Sequence, residues 1–230
     1  MNIKEELHKL KNDSYMSFAK SLIPGIQETV LGIRNPDLKA LAKTLVKNKE
    51  YEDFLKELPH EYHEENLLHG YILSYLKVSQ DELFDLVDIF LPYVTNWAVC
   101  DTMVRGSKAF TKNLDKLFFK VKEWINTDSV YHIRFGVINL MSYFLKDKYI
   151  NEVIDLALSI KKDDYYINMS LSWLNATALI DYYDEFKSLL VNKSFNTFVH
   201  NKSIQKAIES FRIKDNLKEE LKTLKIKKKG

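Results

Sequence analysis

With 230 residues, 46% of them hydrophobic, the chain can bury a core and reads as one compact unit. Its net charge of +2 does not announce a nucleic-acid binder, although a basic face offset by an acidic back gives the same sum. Six Gly, four Pro and no clusters of turn residues exclude a many-stranded β fold, and the single Cys, Cys100, excludes an internal disulfide and fits a reducing cytosol.

Taken in chain order, helical periodicity predicts segments at roughly 2–11, 14–22, 35–48, 50–57, 62–77, 79–91, 96–108, 112–126, 129–145, 149–161, 164–180, 182–191, 199–211 and 214–224. They fall into pairs. The second helix of each pair opens near Asn35, His63, Asn96, Ser129, Asp164 and Asn201, at intervals of 28, 33, 33, 35 and 37 residues. Asn35 is expected to cap its helix with Pro36 in the first helical position, and Asn96, Ser129 and Asp164 are cap-forming residues where new helices need them. Apolar stripes run at helical spacing through Ile133, Val137, Leu140 and Met141 and through Ile167, Leu171, Leu174 and Ala178. The expected fold is all-α: an α-solenoid of about six HEAT-like helix pairs over residues 1–230, with a concave groove. The basic run Lys222, Lys225, Lys227, Lys228 and Lys229 reads as a frayed tail over 222–230. No stretch approaches the ~18 apolar residues of a membrane span, and the N-terminus is a charged amphipathic helix with no apolar signal region, so a soluble cytoplasmic protein is expected.

Trp97 and Asp101 stand four residues apart and share a helix face. Val99, Cys100, Met103 and Phe110 form the inward stripe there, which leaves Trp97, Asp101, Val104 and Lys108 on another face. Arg134 follows Trp97 by 37 residues and Trp173 follows Arg134 by 39, close to the repeat period. Arg134 is expected on the shoulder of its helix, as a snorkelling side chain, a structural ion pair or a phosphate clamp. Trp173 lies off its core stripe among Ser170, Ala176 and Thr177, with room to face a base or sugar. Singly, each residue reads as ordinary packing; their common offset in successive repeats favours a functional groove.

Half of the six histidines, His60, His63 and His69, lie within ten residues. The string lacks the His-x-x-x-His spacing of a metalloprotease and has no nearby Cys, so no metal is expected. Glu64 and Glu65 suit the start of a helix, where the dipole favours negative charge. There is no phosphate-cradling glycine loop and no nucleophile elbow.

Four segments resemble the HEAT-like-repeat DNA alkylation repair glycosylases, the AlkD-type family, in order and spacing over about residues 1–212. Leu31-Gly32-Ile33-Arg34-Asn35-Pro36 looks like the family's N-terminal signature. Asn96-Trp97-Ala98-Val99-Cys100-Asp101 is similar to its Trp-x-x-x-Asp element. Tyr131-His132-Ile133-Arg134 resembles its Trp-x-x-Arg element with Tyr in the Trp place, and Tyr166 to Trp173 resembles the segment bearing its second active-site Trp. The resemblance implies a cofactor-free, metal-free DNA glycosylase that excises positively charged N3- or N7-alkylated purines from duplex DNA. Asp101 would stabilise the oxocarbenium-like sugar and position water, Trp97 and Trp173 would embrace the sugar, and Arg134 would hold a phosphate. Lys108, Lys202, Lys206, Arg212 and Tyr131 would join Arg134 in gripping DNA. The implied protein is monomeric, and nucleoid-associated when bound to DNA. Two other uses of the scaffold make different predictions: a catalytically silent DNA-structure binder, indifferent to Asp101, and a protein-binding solenoid without specific DNA affinity.

Overall fold

The computed structural model describes residues 2–104 and 108–227. Among these, the chain divides into two compact units, residues 1–117 and 118–230. The first contains α1 (Ile3–Leu10), α2 (Asp13–Ser21), α3 (Asn35–Asn48), α4 (Glu52–Lys56), α5 (His63–Tyr75), α6 (Gln80–Phe90), a 3-10 turn (Leu91–Tyr93) and α7 (Trp97–Thr102). Helix α8 (Leu114–Ile125) leads into the second, which holds α9 (Val130–Tyr143), α10 (Ile150–Ser159), α11 (Tyr165–Asp181), α12 (Tyr183–Val191), α13 (Thr197–Glu209) and α14 (Asp215–Thr223). No strand forms among the described residues; an isolated bridge joins Thr29 and Tyr62. The protein is all-α, with neighbouring helices packed as in an α-solenoid.

In the first unit α5 packs between α3 and α7 and also touches α6. Every residue of α5 from His63 to Ser74 is therefore buried, polar ones included. In the second unit α11 packs between α9 and α13, with α12 against α11 and α14 against α13. The one-sided stripes read from the sequence are only part of these cores: α9 is buried continuously from Ile133 to Met141 because neighbours cover it all round. Phe186, Leu190, Ile204, Ala207 and Leu221 belong to the core of this second unit.

Several helix starts differ from the sequence expectation. Arg34, not Asn35, occupies the extended position before α3, without a side-chain cap bond. Asn96 caps α7 through Oδ1 to the Val99 amide at 3.1 Å, and Asp164 caps α11 through the Tyr166 and Ile167 amides. Ser129 precedes α9 without capping it; its hydroxyl meets His132 Nδ1 at 2.8 Å. Asn201 does not open α13. Asn196 does, accepting the Val199 amide at 2.8 Å, and the Asn201 amide instead exchanges two hydrogen bonds with the backbone of Ile226. The chain expected to fray from 222 is thus helical to Thr223 and tied to α13 as far as Ile226, while Lys228 and Lys229 lie outside the described residues. The segment expected as helix 96–108 ends at Thr102; residues 105–107 lie outside the described residues and Lys108 is in a turn.

Gly32 shows why the linker to α3 keeps its course. It stands at φ +77°, a conformation that disfavours any side chain, and a Cβ there would collide with the Asn12 carbonyl oxygen and lie 2.8 Å from the Met16 nitrogen. The close approach brings three consecutive amides, of Leu31, Gly32 and Ile33, to the buried Glu64 carboxylate at 2.9, 2.8 and 3.3 Å. Glu65 in turn accepts the amides of Glu61 and Tyr62 at 2.9 Å, satisfying donors that the start of α5 leaves over. Both glutamates are structural here, in keeping with their place at a helix N-terminus.

Candidate functional site

Counted from the first residue of each helix, Trp97 and Asp101 occupy positions one and five of α7, Arg134 position five of α9, and Trp173 position nine of α11. Positions one, five and nine of a helix lie on one face. Within the first unit Trp97 and Asp101 thus share one face of α7; within the second, Arg134 and Trp173 stand at the fifth and ninth positions of α9 and α11.

In the first unit Val99, Cys100, Met103 and Val104 are fully buried, which leaves Trp97 and Asp101 half-exposed together. Val104 thus joins the core rather than the Trp97–Asp101 face, and Lys108 is exposed outside the helix: α7 is too short to carry its phase that far. The indole Nε1 of Trp97 donates to the Leu22 carbonyl at 3.3 Å, tying this face to the end of α2. A cleft of about 150 Å³ opens beside it, lined by residues that include Tyr15 and Leu22, His63, Leu67 and Tyr71 of α5, and Trp97. Burial lowers the His63 pKa against the opposing pull of Glu64 and Glu28, so its imidazole is neutral near pH 7. Asn96 is oriented by its Oδ1 bond to Val99, so its Nδ2 donates to His63 Nδ1 at 3.4 Å. The His63 proton then sits on Nε2. Burial pushes the Tyr71 phenol up to about 12, leaving it a neutral donor.

His60 and His69 do not share a centre with His63. His60 Nε2 lies 2.9 Å from His69 Nδ1, and the rings stack on Phe54 and Phe90 respectively. Burial drives His60 down to about 4 and His69 well below its ordinary value. Among the described residues no group of three His, Cys, Asp or Glu side chains is disposed to hold a metal ion.

In the second unit Arg134 is buried, not on a shoulder: packing of α9 against α11 covers it, and Nη1 donates to the Tyr166 carbonyl at 3.0 Å. Trp173, on the next helix, is 37% exposed, as its small neighbours suggested. On α13 Lys202 and Lys206 are half-buried, and the Lys206 pKa is lowered by burial first and then by Lys202 and Arg134. Lys206 thus feels the charge of Lys202 on its own helix and of Arg134 on α9, either side of α11. Arg212 is exposed and paired with Asp181 at 3.6 Å, at the far end of α11, about 12 Å along the axis from Trp173.

Sequence reading missed an aromatic row. Tyr131, Tyr166 and Phe198 each stand second in α9, α11 and α13. The ring of Tyr131 is 6.0 Å from that of Tyr166, Tyr166 is 5.2 Å from Tyr165, and Tyr165 is 5.8 Å from Phe198. Tyr165 and Phe198 are well exposed. The signal was present in the sequence, but opening α13 near Asn201 instead of at Thr197 put Phe198 outside it.

The described structure thus defines a protein of packed helix pairs, with Trp97 and Asp101 on one face of α7 in the first unit and cationic and aromatic side chains on α9, α11 and α13 in the second. The family model for DNA alkylation repair enzymes matches residues 3–187, and the chain belongs to that family. No curated protein matches the chain. Membership associates the protein with DNA alkylation repair. Among the described residues no helix is long and apolar enough to cross a membrane.

Proposed function

We propose that the protein is a monomeric DNA glycosylase that excises positively charged N3- or N7-alkylated purines from duplex DNA. One observation carries the reading: in a member of this family, Asp101 is half-exposed one helical turn after Trp97, on the side of α7 away from the buried Val99 and Cys100. A carboxylate there suits a sugar acquiring positive charge. As the bond from C1′ to the cationic base breaks, its electron pair leaves with the base and neutralises it. Water adds to C1′ and Asp101 takes the water proton. Trp97, one turn before Asp101, offers an electron-rich face to the developing cation, and the exposed Trp173 is a second candidate for that role. Arg134, Lys202 and Lys206 supply positive charge for phosphates, and the row from Tyr131 to Phe198 offers stacking surface. Lys108 and Arg212 would contribute at the margins of the interface. The test is release of N7-methylguanine and N3-methyladenine from methylated duplex DNA by the wild type and by Asp101→Asn.

A second reading, DNA-structure binding without excision, draws on the cations around Lys206, which feels both Lys202 and Arg134 and needs no carboxylate. It predicts salt-sensitive DNA binding that is indifferent to Asp101.

A further inference from the structure

We propose that the cleft beneath α2 receives a single unpaired nucleobase from a bound DNA strand. The proposal rests on the DNA-repair reading above and adds a second site to it.

The walls suit a flat heterocycle. Tyr15 of α2, Tyr71 of α5 and Trp97 of α7 bring three aromatic side chains from three helices to one cleft of about 150 Å³. An apolar cavity of about that size holds one aromatic ring, and every base has a π-face to stack on such side chains. Leu22 and Leu67 complete apolar surface, while neutral His63, with its proton on Nε2, supplies a donor for a base edge.

The rim suits a nucleic-acid backbone. Arg34 lies over the Tyr15 ring and Lys39 over the Tyr71 ring, each 5.3 Å from the ring centroid, and both cations are exposed. They place positive charge beside the two rings, where the phosphates flanking an inserted base would run. The roof can yield: α2 has no buried residue, and Phe18 and Leu22 are 54% and 46% exposed. Beyond its end, Trp97 Nε1 bonds the Leu22 carbonyl and Ile23 is buried. The cleft therefore shares Trp97 with the proposed excision site.

The test compares a duplex carrying one unpaired thymine with the fully paired duplex at equal salt. Wild type is expected to bind the bulged duplex at least about tenfold more tightly, a difference of about 1.4 kcal/mol. With a fluorescent 5-substituted uracil as the unpaired base, binding should change its emission through stacking. Ala19→Phe fills the cleft from the half-buried face of α2 and should abolish both the preference and the emission change while paired-duplex affinity stays as it was. Ala98→Phe fills it from α7 and serves if Ala19→Phe does not fold. Equal binding of the two duplexes by wild type, no emission change, or a preference that survives a folded filling variant would overturn the proposal. Absence of base release with the bulge preference intact would remove the glycosylase reading and leave the base site standing. Failure to bind either duplex would remove both.

Discussion

Arg134 of α9 donates from Nη1 to the carbonyl oxygen of Tyr166 on α11 at 3.0 Å, so its guanidinium helps join two helices that sequence spacing had linked only by period. The same cation lowers the Lys206 pKa, so its charge also reaches α13.

Arg134→Lys should separate these two roles. The charge remains but the planar fork is lost, and a broken bond to a charged donor costs about 1.5–3 kcal/mol. The expected result is a lower melting temperature with duplex affinity reduced less than tenfold, whereas Arg134→Ala should weaken both. Thermal melting and fluorescence anisotropy with a labelled duplex measure the two effects.

Glu64 and Gly32 should behave as one device. Glu64→Ala strips the acceptor from three buried amides, and Gly32→Ala forces a side chain into positive φ against Asn12. Each should cost about 2–4 kcal/mol. Because either change spoils the same arrangement, the double variant should lose clearly less than the sum. Denaturant unfolding of the two single variants and the double variant measures the coupling.

The buried imidazole pair predicts an acid-sensitive fold. His60 sits at about 4 rather than 6.5, through burial first and Lys4 second, facing His69, Phe54 and Phe90. The unfolded chain therefore binds more protons between those pH values. The stability contribution is fully present above about pH 6.5 and is lost as pH falls toward 4. His60→Gln, which does not titrate, should shrink the fall in melting temperature between pH 7 and pH 5; an unchanged fall would count against the account.

Under the proposed function Lys206 meets a phosphate; its pKa is lowered by burial and by neighbouring cations more than Glu209 raises it. Lys206→Gln should weaken duplex binding and reduce the slope of log affinity against log salt by about 0.9. Titration of duplex affinity across salt concentrations measures the slope.

Much of this arrangement was legible in the sequence because it follows from helix period. The pairs, the caps at Asn96 and Asp164, the buried Cys100 and the exposed Trp173 all appear where spacing put them. What escaped was set by neighbours distant in sequence. Arg134 could not be read as buried, since α11 covers it, and α5 could not be read as enclosed, since α3 and α7 close over its polar face. The Glu64 acceptor site required Gly32, 32 residues earlier, to hold a positive φ. Phe198 was lost to a cap taken at Asn201, whose amide is committed to Ile226.

The measurement that bears most directly on the central claim is release of N7-methylguanine and N3-methyladenine from methylated duplex DNA by wild type and by Asp101→Asn. The account predicts release by wild type and a loss of at least about a hundredfold in Asp101→Asn, with duplex affinity retained. Equal release by both proteins, or none by wild type while it still binds DNA, would contradict Asp101-dependent base excision.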